Sequence, residues 1–337
     1  MKGVIVTHFG GPEAMKMVTL PTPEAAAGNI VIRTAYIGIN FKDIYLRTGV
    51  YKNRPTGPSG IQYAPTFPFR IGLEASGIVT DVGNGVRGIQ VDDRVAFQEG
   101  IGAYAEYVEV PAWRCVKVPA SINMKLAAAT QLQGATAHYL CHGFTTLNAE
   151  KSCLVHAAAG GVGHILVQLA KHQGAKVFAT VGSPEKAAFV RSLGADVVIE
   201  YKLESFLEVV LEKTEKVGVE IVWDSIGKKT IRDSIKCCKQ RGTCVLFGSV
   251  SGQVSNIPPL ELGAAGSILF TRSHLEHFTS NAEEVRTRAN AIFDGILDNW
   301  LDITIDKILP FEEFSSAQHI LETRKNKGKI LLEVAGE

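Results

Sequence analysis

Residues 153–164, Cys-Leu-Val-His-Ala-Ala-Ala-Gly-Gly-Val-Gly-His, constrain this chain more than any other stretch. An apolar strand runs into glycines and then into an apolar helix. Glycines let the backbone turn tightly and bring its N–H groups close to a pyrophosphate, and the helix N-terminus adds about half a positive charge. The strict fingerprint is G-x-G-x-x-G. Here Ala158 stands at its first glycine, followed by Gly160, Gly161, Val162 and Gly163. A bare glycine turn would also fit such a variant. The strand before it, the helix after it and the βα units that follow favour dinucleotide binding.

The next strand, Lys176 to Val181, bears on which dinucleotide. An NAD site places Asp or Glu about twenty residues on, for the ribose 2′-hydroxyl. Here the strand runs into Gly182-Ser183-Pro184-Glu185-Lys186, with no acid at its end. A serine hydroxyl and a lysine suit the 2′-phosphate of NADPH, and Tyr201 after the third strand is a further candidate contact. Ser225, Phe247-Gly248-Ser249 and Phe270-Thr271-Arg272 fall at the carboxyl ends of later strands, where such ligands bind.

Beyond the motif, strands and helices alternate from about residue 126. Strands are expected at 152–156, 176–181, 197–199, 220–224, 243–247 and 267–271. Helices are expected at 126–140, 162–173, 184–193, 204–215 and 228–238. That is the pattern of a doubly wound parallel sheet covered on both faces. The first third differs: short β-like runs at 4–6, 29–37, 77–82, 94–97 and 103–110, separated by turns such as Gly83-Asn84-Gly85, suggest a small barrel. The tail, with helices near 282–297 and 311–323 and strands at 304–309 and 329–334, breaks the alternation and is expected to return to the first domain. The organisation expected is therefore α/β: a barrel domain of residues 1–125 and 273–337, with a Rossmann domain of 126–272 inserted.

A length of 337 residues suits about two domains. With 46% apolar residues and 35 basic against 34 acidic side chains, the chain is neither disordered nor collagen-like. Its near-zero net charge gives no global support for binding nucleic acid or anionic membrane. Six cysteines, without a C-x-x-C, are too sparse for a disulfide scaffold and point to a reducing, cytoplasmic setting. The N-terminus does not read as a signal peptide. Residues 153–170, the most apolar stretch, carry two histidines and a glycine cluster and read as buried strand, turn and helix rather than a membrane span.

Along nearly its whole length the chain resembles the medium-chain dehydrogenase/reductase superfamily. The matching stretches are Gly38-Ile-Asn-Phe-Lys-Asp43, Gly72-Leu-Glu-Ala-Ser-Gly77, Asp93-Arg-Val95, Ala157 to Gly163 and Leu193-Gly-Ala-Asp196. Within the superfamily it is most similar to the zeta-crystallin-like quinone oxidoreductases. The resemblance implies a GroES-like barrel as the catalytic domain. Zinc-dependent members carry cysteine where this chain has Asn40, and His-Glu where it has Leu73-Glu74. They also carry a four-cysteine cluster that is missing here. Neither catalytic nor structural zinc is expected, since zinc needs three or four thiolate, imidazole or carboxylate ligands at one point.

Without a Lewis acid the resemblance implies NADPH-dependent reduction of an acceptor that takes hydride readily, such as a quinone. It marks Asn40 and Tyr51 as catalytic candidates: Asn40 near the nicotinamide and Tyr51 as a hydroxyl facing the substrate. Asp43 and Tyr45 would border the cofactor, and Thr136 in Gln133-Gly-Ala-Thr136 would reach its nicotinamide end. The proline-rich segment between Tyr51 and Gly72 is longer than the family's and is expected to rim the substrate cleft. Two alternatives stay open: reduction of alkenals, enones or 2-enoyl thioesters, and a crystallin-like or RNA-binding role that keeps the NADPH site. Family members also pair edge to edge through their nucleotide domains, which makes Ser267-Ile-Leu-Phe-Thr271 a candidate homodimer strand.

Overall fold

The computed structural model describes residues 1–53 and 66–336. The proline-rich segment expected to rim the cleft falls largely at 54–65, outside the described residues. The chain divides into two compact units. One contains Met1–Ala135, Glu276–Asp298 and the chain from Ile303 onward; the other contains Thr136–Leu275 and Asn299–Asp302.

The second unit is built on a six-stranded sheet in which every neighbouring pair is parallel. In spatial order its strands are Val197–Glu200, Lys176–Val181, Ser152–Val155, Val219–Asp224, Cys238–Leu246 and Leu269–Arg272. Chain order thus reverses beside Ser152–Val155, and that reversal creates the crevice where doubly wound sheets take their ligands. The strands are nearly continuous apolar runs because helices cover both faces. Leu154, Phe178, Val222, Cys244 and Ile235 sit in one buried cluster. Local chemistry starts the helices: Ser183 caps Pro184–Ser192, with proline at the first helical position, and Ser205 caps Phe206–Lys213.

The first unit carries a seven-stranded sheet and a three-stranded one. Asn29–Gly38 is the spine of the larger sheet, pairing antiparallel with Glu74–Val82, Tyr107–Pro111 and Lys329–Glu333. The tail therefore does return to the N-terminal part of the chain. Ile30, Ile32, Val79, Val95, Phe97 and Val108 alternate inward to form its core. Asn281 caps the helix Ala282–Leu297, its side chain accepting from the Glu284 N–H at 3.0 Å.

Several boundaries differ from expectation for identifiable reasons. The helix expected at 228–238 spans only Ile231–Cys237. Residues 226–230 form a turn instead, with the Asp224 carboxylate accepting from the N–H groups of Ile226 and Gly227 and from the Thr230 hydroxyl. Cys238 already begins the next strand, which was expected only from 243. The tail helix expected at 311–323 is a short 3-10 turn, Phe311–Glu313, followed by Phe314–Glu322. The strand Met15–Thr19 was not anticipated; its half-exposed side chains show no clean period of two.

Candidate functional site

The glycine motif forms a turn after Ser152–Val155. Ala157 is held at φ +51°, its carbonyl accepts from the Gly160 N–H at 2.9 Å, and the Ala158 N–H donates to the Thr180 carbonyl at 3.1 Å. Gly161, Val162 and Gly163 then open the helix Gly161–His172, leaving its first N–H groups without intrahelical acceptors. Any Cβ on Gly163 would lie 2.4 Å from the Ala157 carbonyl oxygen and 2.7 Å from Ala158 Cα. The helix start can sit this close to the turn only because residue 163 has no side chain. This cradle fits a pyrophosphate.

The second element lies at the end of Lys176–Val181. The Ser183 hydroxyl accepts from the Lys186 N–H at 3.4 Å, and Lys186 is half-buried on the first turn of its helix. Tyr201 follows the neighbouring strand, its N–H donating to Val181 O at 3.2 Å. Its hydroxyl lies over Gly182, 2.8 Å from where a Cβ would be. The turn thus gathers a serine hydroxyl, a lysine and a phenol with no carboxylate at the strand end, a donor set suited to a ribose 2′-phosphate.

The third element joins two strand ends. Phe247 N–H donates to Asp224 O at 2.9 Å and Val250 N–H to Ser225 O at 3.3 Å. Gly248 packs so tightly on Ser225 that a Cβ would meet its carbonyl oxygen at 2.3 Å. Ser225, Phe247, Gly248 and Ser249 therefore form one folded-together segment. Further along, Phe270 packs against the buried cluster of the unit, while Arg272 donates to the Leu246 and Ser273 carbonyls at 3.3 and 2.7 Å. Thr271 is half-buried between them, and Thr136 is buried in the helix Met124–His142.

The first unit holds the other candidates. Asn40 caps the helix Phe41–Thr48, its N–H donating to Asp43 Oδ2 at 2.9 Å. Its carboxamide is fully engaged. Nδ2 donates to Gly38 O at 3.0 Å and Glu74 Oε2 at 2.8 Å; Oδ1 accepts from Gln133 Nε2 at 3.2 Å and Lys329 Nζ at 2.9 Å. Two donors and two acceptor lone pairs exhaust an amide. Glu74 and Lys329 are both fully buried and meet at 2.5 Å, while Glu74 Oε1 accepts from the Leu132 N–H at 2.6 Å. Burial pulls the Lys329 ammonium below the usual lysine range, and Glu74 opposes that pull.

Asp43 is buried too, and burial pushes its carboxyl up to about 7 against the Asn40 N–H and the Lys329 charge. Its Oδ2 also accepts from the Tyr104 hydroxyl at 3.2 Å, whereas Oδ1 has no partner. Tyr45 and Tyr51 pack edge to face with centroids 5.1 Å apart. Asn40 and Asp43 thus share one network, and Tyr45 and Tyr51 form a separate pair.

Lys329 and Gln133 were not among the residues singled out from the sequence. Lys329 heads an apolar strand and lies 289 residues from Asn40, so no local pattern marks it. The network leaves no room for a divalent metal. Asn40 has no spare lone pair, residue 73 is leucine, and an ammonium already neutralises Glu74. Among the described residues no three His, Cys, Asp or Glu side chains converge. All six cysteines are free and buried; burial pushes the Cys141 thiol up to about 12 and that of Cys115 higher still.

A parallel sheet of this order, a glycine cradle and a barrel-type partner unit define a dinucleotide-binding dehydrogenase of the medium-chain class. Residues 26–120 match the family described as alcohol dehydrogenase GroES-like domain, and residues 161–293 match the zinc-binding dehydrogenase family. The chain belongs to this family. It is 37% identical over 326 residues to a quinone oxidoreductase of Salmonella typhimurium, covering 96% of each chain. It is 35% identical over 332 residues to a 2-haloacrylate reductase of a Burkholderia species, covering 97% of each. The solved Escherichia coli quinone oxidoreductase complexed with NADPH superposes with a TM-score of 0.93 at 34% identity, over 99% of this chain and all of that one.

Proposed function

We propose that this chain is an NADPH-dependent quinone oxidoreductase working without a metal. The observation that carries it is the Gly182–Lys186 turn with Tyr201 above it, two hydroxyls and a lysine with no acid at the end of the strand Lys176–Val181, in a chain that matches quinone oxidoreductases over nearly its whole length. NADPH, when bound, supplies hydride; with one proton from solvent the quinone becomes a hydroquinone, whose aromaticity drives the step.

In this reading residues 126–272 are the NADPH-binding domain, and 1–125 with 273–337 the acceptor domain. Gly160, Gly161, Val162 and Gly163 hold the pyrophosphate and Ser183, Lys186 and Tyr201 the 2′-phosphate. Ser225, Phe247–Ser249, Thr271, Arg272 and Thr136 lie toward the remainder of the cofactor. Phe270 contributes packing. On the acceptor side Tyr51 offers a hydroxyl beside Tyr45. Asn40, its amide filled, acts with Asp43 as a positioning residue that fixes the start of their helix. The protein is cytoplasmic and dimeric, pairing through the exposed edge strand Leu269–Arg272.

The test is turnover of 1,2- and 1,4-quinones, 2-haloacrylate and enoyl-CoA side by side with NADPH and NADH, for wild type and Lys186→Ala. Quinone turnover with NADPH, and a preference over NADH that shrinks in the variant, is expected. Turnover of enoyl-CoA alone, or equal use of NADH, overturns the proposal. The likeness to 2-haloacrylate reductase favours reduction of activated alkenes as the second reading, and the same panel distinguishes it. The basic cluster Lys228, Lys229, Arg232, Lys236, Lys239 and Arg241, the local face an RNA-binding role would use, is partly neutralised, since Arg232 pairs with Glu261, Lys236 with Asp233 and Lys239 with Glu220.

A further inference from the structure

The imidazole of His156, the residue just before the glycine turn, sits in a chain of hydrogen bonds that crosses three strand ends. Its Nδ1 lies 2.9 Å from the Thr180 hydroxyl and its Nε2 3.0 Å from the Ser234 hydroxyl. Ser234 in turn lies 2.7 Å from Asp224 Oδ2. Counting donors sets the direction from Asp224 to His156. The Asp224 carboxylate only accepts, so it takes the Ser234 proton, and the Ser234 oxygen then accepts from His156 Nε2–H. Burial favours the uncharged ring, and in that form Nδ1 is bare and accepts from the Thr180 O–H. His156 is then the tautomer protonated at Nε2. Its ring is buried and meets the Phe206 ring edge-on at 4.7 Å, and burial lowers its basicity against the pull of Asp224. Thr180, Ser234 and Phe206 face it as uncharged groups, and Asp224 is the charge that acts on it.

Three of its four members stand just before segments assigned above to the cofactor, and the fourth, Ser234, joins them from the helix Ile231–Cys237. Thr180 precedes Gly182–Lys186 and also accepts the Ala158 N–H. His156 precedes the Ala157 turn and Gly160–Gly163. Asp224 precedes Ser225 and, through its backbone carbonyl, holds Phe247.

We propose that His156 is a positioning residue for NADPH, a neutral post that locks the pyrophosphate turn, the 2′-phosphate turn and the Ser225 segment into one register. This rests on the NADPH reading above. A substitution that breaks the chain lets the three segments shift independently and loosens the cofactor. Acid does the same, because a proton on Nδ1 turns the acceptor of the Thr180 hydroxyl into a competing donor.

The experiment is calorimetric titration of NADPH into wild type, His156→Leu, His156→Gln and Ser234→Ala between pH 5.5 and 8, with steady-state kinetics alongside. Glutamine retains one donor and one acceptor but cannot take a proton. His156→Leu is expected to weaken NADPH about tenfold, as for an orphaned buried hydroxyl, with KM for NADPH rising more than kcat falls. His156→Gln is expected to restore affinity to within about twofold and to lose less affinity toward pH 5.5 than wild type. Ser234→Ala removes one oxygen atom from the helix side of the chain, and its expected loss of several-fold tests the same claim if His156→Leu does not fold. Wild-type affinity in Ser234→Ala together with His156→Leu, or a His156→Gln variant as weak as the leucine one, overturns the positioning role. A wild-type protein that fails to bind NADPH overturns the cofactor assignment itself.

Discussion

Replacing Lys329 with methionine keeps most of the side-chain volume and removes one charge. Lys329 Nζ stands 2.5 Å from Glu74 Oε2 and 2.9 Å from Asn40 Oδ1, with both charged residues fully buried. At an effective dielectric of about 20, unit charges this close attract by about 7 kcal/mol, a gross figure largely offset by the cost of desolvating them. Removing only the cation leaves a buried carboxylate with the Leu132 and Asn40 donors alone, a loss of about 3–5 kcal/mol. Neutralising both partners in Glu74→Gln/Lys329→Met removes the stranded charge, so the double variant should recover at least half of that loss. Urea unfolding followed by tryptophan fluorescence measures all three variants, and a cycle coupling of about 2 kcal/mol or more is expected. A Lys329→Met cost below about 1 kcal/mol, or losses that simply add, would refute the account of the pair.

Asp43 should give a pH-dependent stability opposite to that of an ordinary surface carboxylate. Its folded value of about 7 lies above its unfolded one. The native state therefore binds the extra proton, and stability falls as pH rises from about 4 to 7. Asp43→Asn should gain on wild type in melting temperature at pH 8 relative to pH 5; an equal difference at both pH values sinks the prediction. Gly163→Ala should lower the melting temperature and abolish NADPH binding because its Cβ would strike the Ala157 carbonyl. Gly263→Ala, on a helix with open space around it, should be neutral or stabilising by about 0.5–1 kcal/mol. If both alanines behave alike, close packing is not what requires glycine at 163. Leu269→Lys, at an edge strand where that leucine is 64% exposed, should convert a dimer to a monomer in sedimentation; a monomeric wild type would refute the pairing.

The nucleotide unit was legible because its signals are short-range. The strand Lys176–Val181 and the helix Pro184–Ser192 lie where apolar runs and capping residues place them, and the glycine turn needs only its own few residues to form. Legibility failed where a side chain recruits the backbone around it: Asp224 holds residues 226–230 in a turn, and the expected helix starts late. It failed further in the barrel unit, whose strand Met15–Thr19 is half-exposed and carries little periodicity.

The sequence by itself determined the class of fold, the glycine turn and a serine–lysine turn with no acid at the end of its strand, since each depends on residues near one another in the chain. Only the tertiary structure decided what surrounds Asn40. Glu74, Gln133 and Lys329 reach it from 34, 93 and 289 residues away, and together with Gly38 they leave its carboxamide fully hydrogen-bonded. Likewise His156 reads in sequence as one apolar-strand histidine. Its tautomer follows only once Thr180, Ser234 and Asp224 converge on it, because a hydrogen-bond direction belongs to the whole chain of donors and acceptors and not to any one residue.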